Sequence, residues 1–110
     1  RHYISLAILC NLWHYKDVKI ESISHKKLRK FVETGNPKGL MEAERLADMV
    51  AFIDAADSFD ALKTPPNFGF HALKADRKGA FAMTVTKNWR LTFVKIDDQT
   101  IADLNLEDYH

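Results

Sequence analysis

The clearest signal in the chain is a period-two alternation that runs through two stretches on either side of a short polar break. Phe81, Met83 and Val85 alternate with Ala82 and Thr84, and after Lys87-Asn88, Trp89, Leu91 and Phe93 alternate with Arg90 and Thr92. That pattern predicts two neighbouring antiparallel strands, each with one buried and one wetter face. The aromatic rings belong inside, Trp89 among them, which leaves Arg90 pointing outward. Upstream, Val18 to Ile23 alternates in the same way and reads as a first strand. The period then lengthens. Leu28, Phe31 and Val32 form the apolar stripe of a short helix from His25 to Thr34, with Ser24 as its N-cap and Gly35 as its stop.

After the turn Asn36-Pro37-Lys38-Gly39, the residues Ala43, Leu46, Ala47, Val50 and Ile53 recur at helical spacing and predict a second helix from about Met41 to Ala56. Glu42 and Glu44 sit near its N-terminal end, where the helix dipole favours acids. Its outer face carries Glu44 and Asp48, which repel RNA, so this helix reads as scaffold. Ser58 to Leu62 adds a helical turn, Thr64-Pro65-Pro66-Asn67 breaks regular structure, Asp97-Asp98-Gln99 turns the chain, and Thr100 to Leu106 makes a last strand. The predicted order is strand, helix, helix, then three or four antiparallel strands. This is an α+β fold, with two N-terminal helices packed on one face of a small twisted antiparallel sheet. The other face, bearing Arg90, is expected to be open to a ligand.

Composition narrows the functional classes. With 110 residues, 46% hydrophobic and 28% charged, the chain is one domain with a single modest core. A formal charge of +1 means that any nucleic-acid role rests on local patches. One such patch is present: from Lys74 to Arg90 the bases Lys74, Arg77, Lys78, Lys87 and Arg90 face one acid, Asp76. Lys26, Lys27, Arg29 and Lys30 form a second basic run, read as a solvated helix face. Cys10 is the only cysteine, so an internal disulfide and a cysteine-based zinc site are excluded, in keeping with a reducing cytoplasm. The apolar run Tyr3 to Trp13 is shorter than the ~20 residues of a membrane span. It imitates the core of a secretory signal, but only Arg1 precedes it and no small-x-small cleavage site follows clearly.

For a phosphodiester ligand such as RNA, cleavage without a metal needs a base for the 2′-hydroxyl proton, cations for the developing charge and an acid for the departing 5′-oxygen. His71 and His110 suit the proton steps, and Lys74, Arg77 and Arg90 suit the charge step. Asp108 is placed to support a neighbouring cation, and Tyr109 to stack on a base or donate a hydrogen bond. Strand parity sets two conditions. His71 and Lys74 have opposite parity, so they reach one ligand only if the strand ends before Lys74. Asp108 and His110 share parity with Leu104 and Leu106, so the chain must leave the sheet before Asp108 or bury charge.

Three blocks carry a family resemblance: HALKADRKG at 71–79, KNWRLTF at 87–93 and the terminal LEDYH at 106–110. Together they resemble the signature segments of the HigB toxins in the RelE/ParE superfamily of bacterial toxin–antitoxin systems. ISHKKLRKFVETG is similar to the family's N-terminal strand and helix, so the resemblance covers about residues 18–110. It implies a RelE-like fold and a ribosome-dependent, metal-independent mRNA endoribonuclease that needs no cofactor and cuts in the ribosomal A site. It also implies neutralisation by a helix-turn-helix, HigA-like antitoxin, with operator DNA bound only through that antitoxin. On the family's pattern the catalytic positions fall on His71, Lys74, Arg90, Asp108, Tyr109 and His110, with RNA contacts at Arg77, Lys78, Lys87 and Asn88. The chain departs from the pattern at Ala72 (usually Pro), Ala75 (usually Gly) and Phe81 (often Trp). The lost glycine stiffens or shifts the loop that aims Lys74.

Residues 1–17 have no counterpart in that pattern, and a natural start at or near Val18 is expected. Two other readings stand beside the nuclease: a ParE-like toxin that binds a protein target such as gyrase, and an inactive relic that still binds its antitoxin. Paired proton carriers together with an acidic-aromatic terminus favour the nuclease, because a pure binding module has no need of them.

Overall fold

Residues 80–94 fold as the alternation predicts. A computed structural model describes residues 18–108. In it β3 (Ala80–Thr84) and β4 (Trp89–Asp97) form an antiparallel hairpin in register from Ala80 opposite Val94 to Thr84 opposite Arg90. β5 (Thr100–Asp108) pairs antiparallel with the other edge of β4. The remaining elements are β1 (Lys19–Ile20), α1 (Lys26–Thr34), α2 (Ala43–Ala55) and β2 (His71–Ala72), with short 3-10 turns at Phe59–Lys63 and Ala75–Arg77. The sheet order is β1-β5-β4-β3-β2. The expected natural start near Val18, and the candidates Tyr109 and His110, depend on residues outside the described ones.

The α+β architecture holds, with one change in the sheet. β1 joins the edge of β5 in parallel, Lys19 against Thr100 and Ile20 against Ile101, so the sheet is mixed rather than wholly antiparallel. Hairpin logic governs β3, β4 and β5, which short turns connect. The chain between β1 and its partner passes through both helices, and so long a crossover allows a parallel return. β1 is also shorter than the alternation suggests. Beyond Ile20, only Ile23 bridges again, to Leu104.

Leu28 of α1 and Leu46, Met49 and Ile53 of α2 share one buried cluster with Met83, Leu91, Phe93, Leu104 and Leu106 of the sheet. Phe59 lies edge-on to Phe81 and Phe93, with ring centres 4.9 and 6.3 Å away, an arrangement that adds quadrupolar attraction to burial. Trp89 is half-buried and packs against this core, as its alternation with Leu91 and Phe93 requires.

α1 starts one residue later than expected. His25, not Ser24, is its N-cap, and its Nδ1 accepts from the Leu28 N–H at 3.1 Å. Ser24 instead donates to Asp103 at 3.4 Å, because Ile23 and Ser24 are still held against β5. Burial and the nearby Lys27 push the His25 pKa down, which favours the neutral ring that this cap needs. Gly35 ends the helix in the left-handed conformation, its N–H bonded to the Phe31 carbonyl.

Candidate active site

Directly paired residues in a sheet share a face. The register therefore puts His71, Ala82, Thr92 and Asn105 in one row across β2, β3, β4 and β5, and Thr84, Arg90 and Glu107 in the next. Both rows lie on the face away from the helices. His71 and Arg90 thus share a face, on strands two apart and one row apart, about 10 Å across the strands and about 7 Å along them by sheet spacing. The Arg90 side chain is 20% exposed, so it is largely covered rather than free in solvent.

The cover is the chain itself. The β2–β3 loop leaves the sheet at the Ala80 end, yet Arg77 donates from both Nη atoms to the two carboxylate oxygens of Glu107 on β5, each at 2.7 Å. To reach it, the loop folds back across the row containing Ala82 and Thr92. That explains why these two are buried, Thr92 to 2% exposure, although they face away from the core. The expected open face is therefore partly covered, by the Arg77–Glu107 pair and the loop that carries Arg77. Thr92 donates to Glu107 at 2.8 Å, and Arg90 Nη2 lies 3.5 Å from the same carboxylate. Hydrogen bonds from Arg77 first, then from Thr92, hold the Glu107 pKa down at about 2.

His71 is exposed, and its Nδ1 sits 2.9 Å from the Gly69 carbonyl. A carbonyl only accepts, so Nδ1 carries a proton and donates it there, which leaves Nε2 as the ring nitrogen that faces a substrate, the arrangement that suits a proton carrier. Gly69, at φ +70°, lets the chain press against β3: a Cβ there would meet Thr84 Oγ1 at 3.1 Å. β2 stops at Ala72, which meets the parity condition for Lys74. That residue is exposed at the start of the Ala75–Arg77 turn, with Lys78 exposed at its end. Lys87 and Asn88 are exposed at the tip of the β3–β4 hairpin, beside the Arg90 end of the sheet.

Asp108 behaves differently from the expectation. The strand does not leave the sheet before it; β5 runs on, and Asp108 pairs with Trp89. It therefore shares the helix-side face with Trp89 and Leu106, opposite to Arg90 and Glu107. No charge is buried, because the covering layer ends short of this corner. A groove of about 450 Å³, lined in part by Leu40, Met41, Trp89 and Leu106, opens there, and Asp108 is exposed.

Glu107 and Arg45 were not among the sequence candidates. Glu107 had a legible signal: its parity is opposite to that of Leu104 and Leu106, which puts it beside Arg90. Arg45 had none, since it reads as one more charge on the outer face of α2. It reaches across to the hairpin, donating from Nε to the Val85 carbonyl at 2.5 Å and from Nη2 to the Thr84 carbonyl at 3.2 Å. Among the described residues, no three His, Cys, Asp or Glu side chains gather as a metal site, and no helix is long and apolar enough to cross a membrane.

Residues 21–110 match the family described as the RelE-like toxin of type II toxin–antitoxin system HigB. The chain is also 37% identical over 93 residues to a protein of Proteus vulgaris named endoribonuclease HigB, an alignment covering 83% of this chain and 99% of that protein. A match across nearly the whole described chain, on a fold of two helices and a five-stranded sheet, places the protein in the HigB-like family of type II toxins, whose members work opposite an antitoxin.

Proposed function

We infer that this toxin is an endoribonuclease that arrests translation by cutting mRNA, without a metal, through attack of the 2′-hydroxyl on the adjacent phosphate. The observation that carries the reading is the 37% identity to endoribonuclease HigB over 99% of that protein's length. The geometry supports it. His71, its Nδ1 engaged by the Gly69 carbonyl and its Nε2 left for the substrate, shares a face with Arg90, and Lys74 lies in the loop that covers that face.

In this reading His71 or His110 takes the 2′-hydroxyl proton and the other protonates the leaving 5′-oxygen. Arg90 and Lys74 stabilise the charge that builds on the phosphorane. Asp108 and Tyr109 support the terminal histidine and the base, and Lys78, Lys87 and Asn88 hold the strand on either side. Arg77 contacts RNA only by releasing Glu107, since both its Nη atoms are engaged there. The substrate is mRNA in the ribosomal A site, the antitoxin is HigA-like with a helix-turn-helix through which operator DNA is bound, and the site of action is the cytoplasm.

Tightly controlled expression of the wild type, Arg90→Ala and His110→Ala, with mRNA 5′ ends mapped on translating ribosomes, tests this. New ends within coding regions are expected for the wild type and should be lost in both variants. Growth arrest with intact mRNA would instead identify a toxin of the gyrase-binding kind.

A further inference from the structure

The Glu107 carboxylate is bonded at once to the sheet and to the loop that roofs it. Arg77 grips it with a two-pronged, charge-assisted pair, the strongest geometry available to a guanidinium, and Thr92 fixes one of the same oxygens from the adjacent strand. Three residues before Arg77, Lys74 begins the turn that Arg77 anchors. One carboxylate therefore determines where the Lys74 turn lies over the sheet, and it lies beside Arg90 at the same time.

Resting on the nuclease reading, we propose that Glu107 is a positioning residue for RNA cleavage. Together with Arg77 it latches residues 73–79 over the outward face, so that Lys74 and Arg90 are held in fixed relation around the scissile phosphate. Glu107 itself does not touch RNA. A carboxylate there would repel a phosphate, but with Arg77 across it the local charge is neutralised, and Arg90 and Lys74 supply the positive field. The latch also fits the burial of Thr92, a polar residue on the outward face whose hydroxyl bonds the same carboxylate.

The test uses the full chain and compares single-turnover cleavage of mRNA on ribosomes with thermal unfolding. In Glu107→Gln the amide turns an NH2 group toward one prong of Arg77, so the fork cannot close. The cleavage rate at saturating enzyme should fall about 10–100-fold, as misplacement of about an ångström does, while half-saturation stays within about threefold. Exchanging the pair, Glu107→Arg with Arg77→Glu, should recover at least about tenfold over Glu107→Gln, because the fork re-forms in the opposite sense. Amide hydrogen exchange at 73–79 should speed up in Glu107→Gln and slow again in the exchanged pair. Cleavage by Glu107→Gln at the wild-type rate, or a loss that merely tracks its unfolded fraction, overturns the proposal, as does unchanged exchange at 73–79. A wild type that cuts no RNA overturns the nuclease reading instead, and the exchange experiment then still decides the latch.

Discussion

Leu91 and Arg90 are adjacent in β4, and the sheet assigns them to opposite environments. Leu91 is fully buried among α1, α2 and the inward residues of β3 and β5, where shape and volume decide the energy. Arg90 faces a surface whose partners are charged and partly wet, where the position of a few atoms decides what the surface does. The inward face is stabilised by many small contacts, none of them specific to RNA. The outward face contributes less to stability and is organised around one carboxylate. One strand thus serves two ends, and substitutions one residue apart should separate them.

Phe93→Ala should produce the largest change. It removes a ring that is 1% exposed and packed against Phe59 and Phe81, and should cost about 3–5 kcal/mol of stability. For a domain of this size that lowers the melting temperature by roughly 12 °C or more, while cleavage per folded molecule stays near wild type. Calorimetry beside an activity titration checks both. Arg90→Ala should do the reverse, with cleavage falling about 10²–10³-fold, as when one charge-stabilising donor is lost. Its stability should change by less than about 1 kcal/mol, since a partly solvated pair at 3.5 Å contributes little. If Arg90→Ala unfolds the chain, or Phe93→Ala destroys the activity of folded molecules, the division between the two faces is wrong.

That division was largely legible in the sequence, because strand alternation is a local property: the inward set Met83, Val85, Leu91 and Phe93 and the outward Arg90 all follow from period two. Legibility failed where long-range contacts decide. The parallel pairing of β1 depends on a partner about 80 residues away in the chain. The roof over Thr92 depends on Arg77 finding Glu107 across two strands, which no local pattern encodes. The inward reading of Asp108 assumed that parity equals burial, and that fails where the helices stop covering the sheet. A bulge adds to the difficulty. Asp103, at φ +54°, lies where β5 slips its register with β4, so Ala102 and Leu104 flank it without simple alternation across the strand.

A smaller effect sharpens the comparison through pH. Glu107 has a folded pKa of about 2, against 4.5 unfolded. Its contribution is therefore complete above pH 4.5 and is lost as the pH falls from there toward 2, because only the unfolded chain takes up a proton in that window. Solvent still reaches the group, so the loss should be on the order of 1–2 kcal/mol. The gap in stability between wild type and Glu107→Gln should close over the same window. A gap that stays constant from pH 6 to pH 2.5 would mean that the carboxylate's charge is not what holds Arg77.

The covered face has its own titrating group, and it should respond at a different pH. His25 caps α1 with a neutral ring nitrogen, and its pKa is lowered by burial and by Lys27. With the folded pKa below the unfolded 6.5, the cap's stabilisation is whole above pH 6.5 and declines as the pH falls through that value. Below it the unfolded chain gains a proton that the folded cap resists. Caps of this kind contribute about 1 kcal/mol, so the step is small. His25→Asn keeps a good capping side chain and removes the titration. It should flatten the stability curve just below pH 6.5 and leave the descent below pH 4.5, due to Glu107, untouched. Two separate descents, each abolished by its own substitution, would show that the two faces of the sheet are energetically independent. If His25→Asn also altered the acid descent, the helix layer and the loop over the opposite face would be coupled through β4 and β5, and the separation argued from Leu91 and Arg90 would have to be given up.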